Sequence, residues 1–288
     1  MKRLLALALL AAGCVPEPSI PRYMQDAPRT GEDARRVMEE IRGELGADTE
    51  VGLVEGLFYV ASNEHPAHFE RSKDTVAWVY RHLYRDFFTK KPEKPIRVFL
   101  FRDKRSYEEY CQSAYQKPPS TPFGFYMAHE RKMVMNVATG LGTLVHEMVH
   151  PLLAEDFPGV PTWFNEGFAS LYEQSGERNR KMVGFVNWRL RGLQKALREG
   201  KAVPLRSLLR TTTEQFYGDD RGVNYATARY LCLYLQETGR LADFYKAFRE
   251  ASGRDPTGEA TLEKVAGKKL EELDPAWRRW VEGLNFDG

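Results

Sequence analysis

Two of the six histidines in this 288-residue chain fall within one five-residue word, His146-Glu147-Met148-Val149-His150. On a helix, residues four apart share a face about 6 Å apart along the axis, so both imidazoles can turn one ring nitrogen towards a single tetrahedral Zn²⁺. Glu147 lies about 100° round the helix from His146, out of the plane of the two rings. There it is placed to take a proton from a water as general base. The chemistry implied is hydrolysis by a metal-activated water. Locally, Thr143 is expected to cap the helix, with Gly140 and Gly142 turning the preceding loop. Pro151 predicts a kink, because its ring meets the Glu147 carbonyl.

Such a site needs a third protein ligand. Glu166, in Pro161-Thr162-Trp163-Phe164-Asn165-Glu166-Gly167-Phe168-Ala169, lies near the start of a second predicted helix, with Pro161 and Thr162 as start signals. Phe164, Phe168 and Leu171 supply that helix with a buried face, and Gly167 and Ala169 predict close approach to the first helix. Glu155, Asp156 and Glu173 are rival ligands.

HEMVH followed by WFNEGFA resembles the gluzincin branch of zinc metallopeptidases, and most of all bacterial peptidase-like sequences with a W-x-x-E-G-x-A second motif. The resemblance covers residues 134–175 and fades on either side. It implies a zincin-like fold, one Zn²⁺ held by His146, His150 and Glu166, and Glu147 as general base. It also implies that the strand Met133–Val137 edges a substrate cleft, where an extended peptide can add by β-augmentation. Proteins of this type often stabilise the oxyanion with a downstream Tyr or His. Tyr225, near the start of a helix continuing through Ala228, Leu231, Cys232 and Leu235, is the first candidate, and Tyr217 the second.

The elements that must position these groups are mixed. Ala34, Met38, Ile41 and Leu45 recur at helical spacing, as do Phe69, Val76, Tyr80, Leu83 and Phe87. Residues 57–61 and Ile96–Phe101 read as strands, 106–115 as a helix, and FGFYM with KMVMNV as a β-hairpin. Beyond Thr143 the apolar pattern is helical: 144–155, 162–174, 178–199, 223–238, 240–251, 258–266 and 274–284. Strands before helices predict an α+β domain over 32–288, with a small mixed β-sheet lobe at 32–150 and a mostly helical lobe at 151–288.

The N-terminus reads as an address. Lys2 and Arg3 precede an apolar run, Leu4–Ala12, too short for the roughly 20 residues that span a bilayer. With Gly13 and Cys14 the run resembles a lipoprotein signal peptide (1–13), with Cys14 lipidated, ordinary secretion being the alternative. Pro16, Pro18, Pro21 and Pro28 make 14–31 a semi-rigid tether. The expected location is the bacterial cell envelope, and the expected partners are a peptide or protein substrate and a membrane reached through the lipid. The whole sequence carries 42 Lys+Arg against 40 Asp+Glu, and the excess belongs to the leader, so bulk charge gives no support for nucleic-acid binding. Gly140-Leu141-Gly142-Thr143-Leu144 lacks the Lys and the spacing of a phosphate loop, so no nucleotide is expected. Cys111 and Cys232 read as buried free thiols, His65 and His68 as loop histidines, and His129 as an exposed turn residue. The stripe Met182, Val186, Leu190, Leu193 and Leu197 reads as the core face of a helix whose Arg and Lys are solvated. Two further function classes stay open: a non-catalytic envelope lipoprotein using the fold as a scaffold, and a zinc amidase acting on a non-peptide wall component.

Overall fold

Three strands in which every residue is buried can lie only inside a sheet covered on both faces. They are β2 (Phe58–Ser62), β3 (Ile96–Phe101) and β5 (Lys132–Asn136). In the computed structural model, which describes residues 31–286, these strands are the centre of a five-stranded sheet ordered β1-β2-β3-β5-β4. The two flanking strands, β1 (Glu50–Val54) and β4 (Gly124–Met127), are only partly buried. β2, β3 and β5 run parallel, and each edge strand pairs antiparallel to its neighbour. Parallel neighbours need long crossovers, supplied by α2 (Pro66–Asp86) and α3 (Lys104–Tyr115). Before β1 comes α1 (Gly31–Leu45).

Side chains alternate across the sheet, which builds two apolar layers. Tyr59, Phe99, Phe101 and Val134 pack with Ile41, Tyr107 and Cys111 on the α1 and α3 side. Val60, Val98, Leu100, Met133 and Met135 face the opposite way, into a core that reaches Val281. That larger core contains α4 (Gly142–Asp156), which carries the His146 word, and α5 (Thr162–Leu171). A two-stranded hairpin follows, β6 (Ser175–Arg178) and β7 (Lys181–Gly184), then α6 (Arg189–Arg198), α7 (Leu205–Leu209), α8 (Thr213–Phe216) and α9 (Arg221–Glu237). α10 (Leu241–Ala251), α11 (Glu259–Ala266) and α12 (Leu270–Glu282) complete the helical half. The architecture is α+β, and residues from both halves of the chain share one core.

Several expectations need correction. The helix predicted over 178–199 is the β6–β7 hairpin followed by α6; Asn179 and Arg180 both take positive φ, 54° and 61°, the backbone of a two-residue hairpin turn. The strand Met133–Val137 is not an edge: β5 lies between β3 and β4, so the edge on that side of the sheet is β4. Thr143 does not cap α4, which already begins at Gly142, with Leu141 at the cap position and no side-chain cap bond. The helix runs through Pro151 to Asp156. Gly167 meets α9 and not α4: a Cβ there would lie 2.8 Å from the Ala228 carbonyl oxygen. His65 is the cap residue of α2, its Nδ1 accepting from the Ala67 N–H, and His68 lies within that helix. β1, α7 and α8 had no counterpart among the predicted elements. Cys111 and Cys232 are buried free thiols, one in each apolar layer, and His129 is exposed in the β4–β5 turn. The signal peptide, Cys14 and the tether up to residue 30 lie outside the described residues; Gly31 already opens α1. Among the described residues no helix is long and apolar enough to cross a membrane.

Candidate metal centre

α4 and α5 pack against one another and bring the two sequence words face to face. Ligand atoms of His146, His150 and Glu166 all lie within 4.8 Å of one another. His146 Nε2 is 3.3 Å and His150 Nε2 3.9 Å from Glu166 Oε2, and the two imidazole rings are 4.8 Å apart. His146 and Glu166 are buried, at 8% and 4% exposed. Buried carboxylate oxygens are rarely left without donors. Glu166 Oε2 nevertheless has no hydrogen-bond partner, while Oε1 accepts from the Tyr217 hydroxyl at 2.5 Å. The orphaned atom is the one that faces both imidazoles.

The far side of each imidazole is also held. His150 Nδ1 lies 2.9 Å from Asn165 Oδ1 on α5. His146 Nδ1 lies 3.3 Å from Glu173 Oε1, at ion-pair distance but off the hydrogen-bond direction. Glu173 is itself gripped by Arg189, whose Nε and Nη2 donate to its two oxygens at 3.0 and 2.8 Å, and by Asn187 Nδ2 at 3.3 Å. Glu173 therefore braces His146 from behind and stands outside the three-residue group that could hold a metal. Gly142 fixes its position, because a Cβ there would come 2.2 Å from the Glu173 carbonyl oxygen. No side chain but hydrogen lets the start of α4 and the turn after α5 approach so closely.

The other two rivals are elsewhere. Glu155 pairs with Lys90 Nζ at 3.1 Å. Asp156 ties the end of α4 to Thr89, Lys90, Tyr245 and Arg249.

Charge matches the geometry. Burial alone would strip His146 of its proton, but Glu166 and Glu173 on either side raise its imidazolium to about 10. Burial pushes Glu166 up, yet His146, His150 and the Tyr217 hydroxyl bring it down to about 2. Glu173 is also near 2, held there against burial by His146 and Arg189. Glu147 is half-buried, and burial raises its carboxyl above the ordinary value, opposed by both histidines and by the backbone N–H of Tyr126. Several carboxylates thus surround two imidazoles, a field suited to a cation.

Tyr217 and Tyr225 converge on Glu166. Their rings are 6.2 Å apart, and Tyr225 packs on Phe216 and beneath the Arg189 guanidinium at 5.2 Å. Burial first, and then the Glu166 charge, raises both phenols well above 10. The tyrosine with the direct bond to Glu166 is Tyr217, the second candidate. Asn165, Glu173 as an orienter, and Arg189 were missed. Asn165 adjoins Glu166, and Glu173 follows it by seven residues, two helical turns, so a search for partners of the far imidazole nitrogens had those two signals to find.

The edge strand completes the surroundings. Asn136 N–H donates to the Phe123 carbonyl, and antiparallel pairs alternate between bonded and non-bonded. With Gly124 opposite Met135 and Tyr126 opposite Met133, the backbone groups of Gly124 and Tyr126 point away from β5. No family model matches the chain, and no curated protein matches it.

Proposed function

We propose that this chain is a zinc-dependent metallopeptidase of the gluzincin type, on a zincin-like variant of its α+β fold, hydrolysing peptide bonds with Glu147 as general base. The observation that carries this reading is the convergence of His146, His150 and Glu166 within 4.8 Å, with Glu166 Oε2 buried and unpaired between the imidazoles. Two imidazoles and one carboxylate, leaving a fourth direction free, are a donor set of catalytic zinc. Zinc held there would supply Lewis acidity, making a water acidic near neutral pH and polarising the scissile carbonyl.

The chain's own groups have separate tasks. Glu147 accepts the proton of the attacking water and returns it to the leaving amine; its raised carboxyl suits that exchange. Glu173 and Asn165 hold the imidazoles so that each Nε2 faces the same point. Tyr225, kept protonated by burial and the Glu166 charge, is the hydrogen-bond donor for the developing oxyanion; the Tyr217 proton is already given to Glu166. The outward backbone groups of β4 align an extended substrate. The leader sequence supports attachment to the bacterial cell envelope through a lipid on Cys14.

Metal analysis and a peptide-library digest of the full chain test the reading. Stoichiometric zinc, cleavage abolished by a chelator, and a Glu147→Gln variant that keeps zinc but loses cleavage are expected. Cleavage by Glu147→Gln at the wild-type rate, or zinc absent after reconstitution, overturns it.

A further inference from the structure

On the face of the sheet turned away from α4, a cavity of about 440 Å³ adjoins β4. Cys111 and Tyr115 of α3, Pro118 and Pro119 of the following loop, and Phe125 and Met127 of β4 line it. Phe125 and Met127 belong to the apolar layer on the α3 side, whereas Tyr126 between them packs into the layer containing α4. Every residue of β5 is buried, but Phe125 and Met127 remain half-open. Burying the remaining apolar surface is favourable. The rim carboxylate of Glu130 is already bound by Lys132 Nζ at 2.7 Å, and so offers little to a charged guest.

We propose that this cavity receives a large apolar side chain of an extended peptide laid along the open edge of β4, and so sets the sequence preference of the site; this rests on the peptidase reading above. A strand added to β4 places its side chains on the same faces as the residues they pair with. The peptide residue opposite Tyr126 therefore turns towards α4, the helix that carries Glu147. Its neighbours, opposite Phe125 and Met127, turn towards α3 and the cavity. A guest one residue along the backbone from the residue beside Glu147 is read on the far face of the sheet, out of reach of His146 and His150. The cavity exceeds any one side chain in volume and is walled by aromatic, thioether and proline carbons, with Lys117 and His129 also on its lining, so Leu or Phe fits it better than Ser.

The test is binding of fluorescein-labelled Ser/Thr decapeptides to the full-length Glu147→Gln protein. Leu, Phe, Ser or Asp is placed at each position in turn, and affinity is read by anisotropy. One position should prefer Leu or Phe over Ser by at least about tenfold, the scale of an apolar pocket. Ser120→Trp, which fills the cavity mouth from an exposed loop, should erase that preference while the all-Ser/Thr peptide binds as before. Met127→Lys should do the same from the floor, with the melting temperature of both variants confirming the fold. No binding, no apolar preference, or a preference untouched by both substitutions overturns the proposal. Pocket-dependent binding by a protein whose wild type cleaves nothing overturns the peptidase reading alone. Cleavage with no such dependence overturns the pocket alone.

Discussion

Asp156 and Glu166 are buried to the same degree, at 5% and 4% exposed, one ending α4 and the other facing it from α5, yet their oxygens are treated in opposite ways. Asp156 Oδ1 accepts from Thr89 N–H at 2.7 Å, from its hydroxyl at 3.0 Å and from Lys90 N–H at 2.6 Å. Its Oδ2 accepts from the Tyr245 hydroxyl and Arg249 Nη1, each at 2.5 Å. Glu166 has a single hydroxyl on one oxygen and none on the other. A saturated buried carboxylate is a rivet holding α4 to α10 and the loop after α2. An unsaturated one, facing two imidazoles that are themselves held from behind, is a place for a cation. Burial alone does not separate the two; the count of donors does.

The contrast can be broken by experiment. The largest expected effect is at the rivet: Asp156→Ala should destabilise the fold by about 3–5 kcal/mol, since it leaves the Tyr245 hydroxyl, the Thr89 and Lys90 N–H groups and Arg249 without their acceptor. Urea denaturation measures this, and the zinc stoichiometry of the folded protein should be unchanged. Nearly as large is zinc linkage. At a thousandfold excess over Kd, zinc should add about 4 kcal/mol to wild-type stability. His150→Ala and Glu166→Gln should lose that increment, whereas Asp156→Asn should keep it; an increment surviving in Glu166→Gln would sink the ligand assignment. Next, Glu173→Gln should weaken zinc by about 10–100-fold, as loss of an orienting partner does, read by competition with a chromogenic chelator. The smallest is Tyr217→Phe, under about tenfold in zinc affinity, because the ring is 44% exposed and water can replace its hydroxyl.

The same contrast has a pH signature. Burial pushes the Asp156 carboxyl up, but the Tyr245 hydroxyl, the Lys90 and Thr89 N–H groups and Arg249 outweigh it, so its pKa is lowered on folding. A group depressed on folding contributes stability above its unfolded pKa, about 3.9 for Asp, and loses it as pH falls through the folded value. Wild-type stability should therefore fall more steeply than that of Asp156→Asn as pH drops below about 4. Parallel acid limbs would show that Asp156 is not the rivet.

What the sequence disclosed follows the range of the interactions. The His146 word is local: three residues on one helical turn carry their own geometry. Glu166 was legible because aromatic neighbours and a start signal placed it on a second buried helix. Glu173 was read as a rival ligand because its partner Arg189 and its approach to Gly142 exist only after α4 and α5 have docked. The edge strand was misassigned because a hairpin pattern says that two strands pair, not which one faces outward. The β6–β7 hairpin was hidden because Met182, Val186 and Leu190 are spaced by four, as on a helix; the Asn179–Arg180 turn overrode that period. α6 begins only at Arg189, and Leu190, Leu193 and Leu197 of the stripe do lie on it.

The open edge of β4 also bears on how this protein behaves in concentrated solution. A strand with free backbone groups and half-open apolar side chains on both faces is a template for other copies of itself. β4 limits that hazard by being only four residues long and by following Pro122, which has no N–H to donate. Replacing Pro122 and Thr121 with strand-forming residues would lengthen the edge, and such a variant should aggregate at concentrations where the wild type stays monodisperse.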